Sequence, residues 1–134
     1  MGNCTFQKIL MKIIYKNEKL KEICEDEKTA LKFFGGNIKY VDSLRIRIMF
    51  ILNSSTLNDI VKLPSFRFHK LLNKGKNKNY DGFYAIDLRN KSDRWRIIIQ
   101  PLDDNYNPPI TKDIIQISST IRILKIEEVT DYHG

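Results

Sequence analysis

The chain has 134 residues and a mass of 15.8 kDa, which fits one domain with a single hydrophobic core. Hydrophobic residues make up 42% and charged residues 29%, a balance that is typical of globular proteins and too apolar for a disordered one. Two cysteines, Cys4 and Cys24, are too few for a disulfide framework or a zinc site, and the net charge of +7 favours an anionic partner.

The sequence also argues against a membrane or secreted protein. It holds no apolar run of about 18 residues, which a membrane helix would need. Its first residues lack the cleavage pattern of a secretory signal. We therefore expect a cytoplasmic protein. Met11 is a second plausible start, so residues 1–10 are treated as an extension before a single domain over residues 11–134.

The first half of the chain predicts one strand followed by helices. Asn17 is a good N-cap, and two glycines at 35 and 36 are a typical helix end. Apolar residues recur at helical spacing between these signals, with an interruption around residues 25–27. The predicted elements are a strand over 11–16 and helices over 18–34, 37–52 and 55–63.

The second half is rich in β-branched and aromatic residues and predicts strands. The predicted strands are 66–72 at an edge, 83–88 and 94–100 as a hairpin, and 120–130 at the end. Two loops separate them, over 73–82 and 101–118. Helices followed by strands favour an α+β domain, in which two or three N-terminal helices pack on one face of a small antiparallel sheet.

The positive charge is concentrated in the middle of the chain. Residues 62–100 contain ten of the 23 Lys and Arg side chains but only three acidic residues, Asp81, Asp87 and Asp93. The flanking segments are close to neutral or acidic. Such a patch attracts RNA or DNA, although basic residues also serve simply to keep a surface soluble.

Strand alternation in residues 94–100 separates a core face from a charged face. Trp95, Ile97 and Ile99 share one side, and Trp95 is expected in the core. Arg94 and Arg96 share the other side, where they can bind a phosphate group. The alternative is a surface ion pair of either arginine with Asp87 or Asp93.

The two histidines, His69 and His133, are the side chains best suited to acid–base chemistry. Cleavage of RNA without a metal needs a base for the 2′-hydroxyl, cations for the phosphate and an acid for the leaving 5′ oxygen. The sequence lacks a carboxylate cluster that would hold Mg²⁺, which disfavours a metal-dependent nuclease. From the pattern alone, a structural role for each histidine is also possible.

Four runs of residues together resemble HigB-like toxins of the RelE/ParE toxin–antitoxin superfamily, including its "killer" and "killer suppression" subfamily. The resemblance covers roughly residues 12–134, and the Asp-Tyr-His tail is its most specific element. One departure is Asp87, which stands near a position where many relatives carry an arginine. The runs are RFHKL at 67–71, GFYAIDL at 82–88, WRII at 95–98 and VTDYHG at 129–134.

The resemblance implies a RelE-like fold and a function. The function is that of a type II toxin, a metal-independent endoribonuclease that cleaves mRNA in the ribosomal A site and needs no cofactor. The implied partners are the ribosome, mRNA and a cognate antitoxin of the HigA-like, helix-turn-helix kind.

Residue roles follow from the matched motifs. Arg96 matches the family's strand arginine, which steadies the scissile phosphate, and Tyr132 and His133 match its carboxy-terminal pair. His69 is the fourth candidate catalytic residue. The expected RNA-binding residues, which position the backbone, are Lys62, Arg67, Lys74, Lys76, Arg89 and Arg94.

Two other functions fit the same sequence. Some members of the superfamily poison DNA gyrase and cleave no RNA, so a non-enzymatic toxin acting on a protein is one alternative. A nucleic-acid-binding accessory protein or antitoxin is the other, although the sequence shows neither a helix-turn-helix nor a disordered neutralising tail.

Overall fold

The architecture is α+β, as predicted, and a computed structural model describes it for residues 9–71, 81–111 and 113–131. That part of the chain forms four α-helices and five strands. The helices are α1 (Glu18–Glu25), α2 (Glu27–Phe33), α3 (Ile38–Leu52) and α4 (Leu57–Val61). The strands are β1 (Lys12–Tyr15), β2 (His69–Lys70), β3 (Tyr84–Asp87), β4 (Trp95–Leu102) and β5 (Ile123–Asp131).

Residues 18–61 form four helices, one more than the two or three expected, because polar caps separate them. Asn17 caps α1 as predicted, its Oδ1 accepting from Leu20 N at 2.9 Å. The interruption predicted within the first helix is a complete break at Asp26, which has an extended backbone with φ −112° and ψ 120°. Its carboxylate accepts from Thr29 N, so one residue ends α1 and starts α2.

The five strands form one sheet in the order β1-β5-β4-β3-β2. The prediction of an antiparallel sheet is wrong at one edge, because β1 pairs with β5 in parallel and the other pairs are antiparallel. A hairpin forces its two strands to be antiparallel. β1 and β5 are separated by the whole helical half and three strands, so no turn imposes their relative direction.

The strand boundaries confirm the hairpin and correct its neighbours. β3 and β4 form the predicted hairpin, but β4 continues through Pro101 to Leu102, into the segment expected to be loop. The predicted edge strand at 66–72 shrinks to the two residues of β2. A 3₁₀ turn at Pro64–Phe66 and a left-handed Arg67 occupy its beginning.

The main core lies between the helices and one face of the sheet. Trp95 packs against this core, as predicted. The opposite face has only a small buried cluster of Leu71, Ala85 and Ile98. The main core unites the helices with sheet residues that are fully buried: Ile86, Ile97, Ile99, Leu124 and Ile126. Among the described residues, no helix has the length and hydropathy needed to span a bilayer.

Candidate functional site

A buried carboxylate lies where β3 ends, on the face of the sheet opposite the helices. Asp87 follows Ile86 in β3, so alternation turns its side chain away from the main core. It is only 1% exposed. Two arginines reach it: Arg67 Nε lies 2.9 Å from Oδ2, and Arg96 Nε lies 3.1 Å from Oδ1. We call Asp87, Arg67, Arg96 and Arg47 the arginine corner.

Arg96 in β4 is directed into the protein. Besides its ion pair with Asp87, its guanidinium donates to the carbonyl oxygens of Lys91, Asp93 and Trp95, so each of its three nitrogens has a partner. The pair with Asp87 is therefore a buried one, and not the surface ion pair considered from the sequence. Arg96 ties the β3–β4 turn to the end of β3, and its role in catalysis stays a prediction.

Arg47 completes the arginine corner from α3. Its Nε donates to Asp87 O at 2.9 Å, and its Nη2 reaches Ser65 O at 3.4 Å and Arg89 O at 3.3 Å. The guanidinium also lies 4.3 Å from the centre of the Phe66 ring. Burial lowers the pKa of Arg47, and Asp87 opposes that shift.

Arg67 has an unusual backbone conformation. Its guanidinium is also the more accessible of the two that pair with Asp87. Its φ of 44° is in the left-handed region, which is costly for a residue with a Cβ atom. Its side chain is 35% exposed, against 9% for Arg96. Of the two cations, Arg67 is the one that a ligand in solvent can contact.

His69 lies two residues further, in β2, and its ring is fixed by one hydrogen bond. Nδ1 is 2.6 Å from the backbone oxygen of Arg67. A carbonyl oxygen only accepts, so Nδ1 is the donor, and Nε2 of the neutral ring carries the lone pair. His69 is half-buried and paired with Ala85, on the same face of the sheet as Asp87.

The structure also describes three of the other predicted RNA-binding residues. Lys62, Arg89 and Arg94 are exposed, and Lys62 follows directly after α4. The Arg89 guanidinium lies 5.6 Å from the ring centre of Tyr40, whose hydroxyl donates to Asp93 at 2.7 Å. That hydrogen bond raises the pKa of Tyr40.

Four predicted site residues, Lys74, Lys76, Tyr132 and His133, lie outside the described residues. The structure does locate the strand that precedes the last two. Asp131 ends β5 and pairs with Trp95, and Thr130 pairs with Arg96. The end of β5 therefore lies beside the arginine corner.

Sequence reasoning missed two members of the arginine corner as site residues. Arg47 lies in the predicted helix over 37–52 with no role assigned, and Asp87 is predicted only as a possible ion-pair partner and noted as a departure from the family pattern. Their common signal is weak: each is a charged residue inside an otherwise apolar run, FYAIDL for Asp87 and IRIMF for Arg47. In the described ranges, no group of three or more His, Cys, Asp or Glu side chains is placed to hold a metal ion.

Comparisons of the chain with protein families, with curated proteins and with solved structures find no match.

Proposed function

We propose that this protein is a HigB-like toxin with a RelE-like fold, which arrests translation by cleaving mRNA on the ribosome. The proposal rests on one convergence: segments quoted for the family resemblance meet at Asp87. Arg67 comes from the first, Asp87 from the second and Arg96 from the third, and β5, which leads into the fourth, ends beside Arg96. The runs are separate in the sequence, and their meeting is what a shared site requires.

Charge supports an RNA substrate. The segment 62–100, with its excess of cations, supplies β2, β3 and most of β4, and therefore three of the four members of the arginine corner. Exposed cations at Lys70, Lys91 and Arg94 surround the same hairpin. Cations in this arrangement contact phosphates and position an RNA backbone without reading its sequence.

The chemistry follows from His69 and Arg67. The Nε2 lone pair of His69 takes the proton of a ribose 2′-hydroxyl, and the 2′ oxygen bonds to the adjacent phosphorus. The bond from phosphorus to the 5′ oxygen breaks, which leaves a 2′,3′-cyclic phosphate and, after protonation, a 5′-hydroxyl end. The half-exposed guanidinium of Arg67 stabilises the charge that develops on the phosphate oxygens. Arg96 supports Arg67 indirectly, through its ion pair with Asp87.

The proposal can be tested by inducible expression in bacteria, followed by mapping of mRNA 5′ ends. We expect growth arrest and new ends within coding frames. The variant His69→Asn keeps a short amide that can donate to Arg67 O but removes Nε2, and we expect it to lose both effects. Arg122→Gln, which changes an exposed arginine just before β5, is the matched control and should behave as the wild type.

Two outcomes contradict the proposal. Growth arrest with intact mRNA would move the target to a protein such as DNA gyrase, in which case DNA damage should accompany arrest. New ends that persist unchanged in His69→Asn would remove His69 from the mechanism. The same strain tests the proposed partners. Co-expression of the antitoxin should restore growth, and cleavage of an mRNA should require that the mRNA is being translated.

A further inference from the structure

We propose that Asp87 is a positioning residue for His69: its carboxylate holds Arg67 in the left-handed conformation that aims the Arg67 carbonyl at His69 Nδ1. The inference rests on the proposed function, in which His69 Nε2 is the base. It assigns a role to a buried carboxylate that itself contacts neither the histidine nor a substrate.

The first link joins Asp87 to Arg67. A left-handed backbone costs a non-glycine residue roughly 1–2 kcal/mol, so something must hold Arg67 at φ 44°. Its N–H closes the 3₁₀ turn on Pro64 O at 3.1 Å, and its side chain forms the 2.9 Å ion pair with Asp87 Oδ2. The backbone turn and the ion pair together fix both ends of the residue.

The second link joins Arg67 to His69. Turning the chain at Arg67 directs its carbonyl oxygen to His69 Nδ1, 2.6 Å away. This bond selects the tautomer with hydrogen on Nδ1, and so leaves Nε2 able to accept a proton. Free imidazole side chains favour the other tautomer, with hydrogen on Nε2, in which Nε2 has no lone pair to accept the proton of the 2′-hydroxyl.

Strand β2 is short, so the residues on either side of it help to position His69. It has two residues, His69 and Lys70, and such a short pairing holds its register weakly. Phe68 stacks on Tyr84 with ring centres 5.0 Å apart, which anchors the face towards the core. On the face that carries His69, Arg67 on Asp87 anchors the chain before the strand, and buried Leu71 anchors it after the strand.

Asp87 suits this task because it is held rigidly itself. It ends β3 in register with Arg96, is 1% exposed, and contacts the Arg96 guanidinium through its other oxygen. A guanidinium lies against each oxygen of this buried carboxylate, so both ion pairs hold it in place. Arg67 is thereby tied to the end of β3.

The experiment measures the tautomer of His69 directly, by long-range ¹H–¹⁵N correlation NMR at a pH where the ring is neutral. The wild type should show hydrogen on Nδ1. Asp87→Asn keeps the size of the side chain but loses its charge, and we expect a shift towards the Nε2–H tautomer together with a fall of about 10²-fold in RNA cleavage, the scale of general base catalysis.

A pair of substitutions at Arg67 keeps the test open if Asp87→Asn does not fold. Arg67→Ala and Arg67→Gly both remove the guanidinium, but only glycine adopts a positive φ without cost. We therefore expect the Nδ1–H signal to fall in the order wild type, Arg67→Gly, Arg67→Ala.

The inference is overturned when a folded Asp87→Asn or Arg67→Ala protein keeps the wild-type tautomer. Equal effects of alanine and glycine at position 67 would also overturn it, because the backbone conformation would then be irrelevant. The NMR signal does not depend on cleavage. A wild type that shows no ribonuclease activity therefore contradicts the proposed function alone, and the tautomer decides the role of Asp87.

Discussion

The two faces of the central sheet are stabilised in different ways. On the face towards the helices, Ile86, Ile97 and Ile99 are fully buried among other apolar side chains, an interaction that has no required direction. Next to Ile86 and Ile97 in the same strands, Asp87 and Arg96 face the other way and are also buried, but among ion pairs and hydrogen bonds. Substitutions at neighbouring residues should therefore differ in the free energy of unfolding that they remove. Apolar side chains can repack around a small change, but a buried charge that has lost its partner stays unpaired.

The largest expected effect comes from removing the carboxylate of the arginine corner. Asp87→Ala leaves Arg67 and Arg96 without their shared partner, and loss of one member of a buried ion pair costs about 3–5 kcal/mol. The matched control is Ile86→Val, the preceding residue on the apolar face, for which about 0.5–1.5 kcal/mol is expected. Urea unfolding followed by circular dichroism measures both free energies. Equal losses would show that the two faces do not differ.

Removing Arg47 should have an intermediate effect. Arg47→Met keeps an apolar chain of similar length but leaves the carbonyls of Asp87 and Arg89 without a donor, which costs about 1–3 kcal/mol. Arg45→Met on the same helix changes an exposed arginine and should stay within about 0.5 kcal/mol of the wild type. Thermal unfolding of the pair separates the two positions. A loss at Arg45 as large as that at Arg47 would contradict the assignment.

The smallest expected effect comes from protonating Asp26, at the break between α1 and α2. Hydrogen bonds from Thr29 hold the pKa of Asp26 below its usual range. Its contribution is therefore fully present above the unfolded carboxyl pKa, near 4, and is lost as the pH falls through the lower folded value. The Thr29 amide shift, followed by NMR on acidification, should report this titration.

Asp26→Asn provides the control for that titration, because asparagine caps a helix as well as aspartate but has no charge to lose. The acid-dependent change at Thr29 should disappear while α2 stays intact. A titration of the Thr29 amide that survives the substitution would assign it to another carboxylate.

Sequence reasoning predicted the apolar face better than the arginine corner. Alternation of Ile residues predicted the β3–β4 hairpin and the burial of Trp95, because burial of apolar surface leaves a period in the sequence. Hydrogen bonds and ion pairs between distant residues leave no such period. The partners of Asp87 and Arg47 come from positions 9 to 42 residues away, which no period of a strand or helix specifies.

The same limit explains the differences in secondary structure. The left-handed turn at Arg67 shortened the predicted edge strand, and an arginine carries no signal for positive φ. The parallel pairing of β1 and β5 joins the most distant strands of the described chain, where no turn sequence specifies the direction. In contrast, the cap at Asn17 acts over three residues, and the start of α1 was predicted from it. At Asp26 the sequence predicted an interruption and no separate helix.

The position of β5 between β1 and β4 determines the order in which the sheet can form during synthesis. A nascent chain that has been extended only through β4 has its first strand on one side of a gap and its hairpin on the other. The sheet closes only after β5 has left the ribosome, because contacts between such distant segments form late.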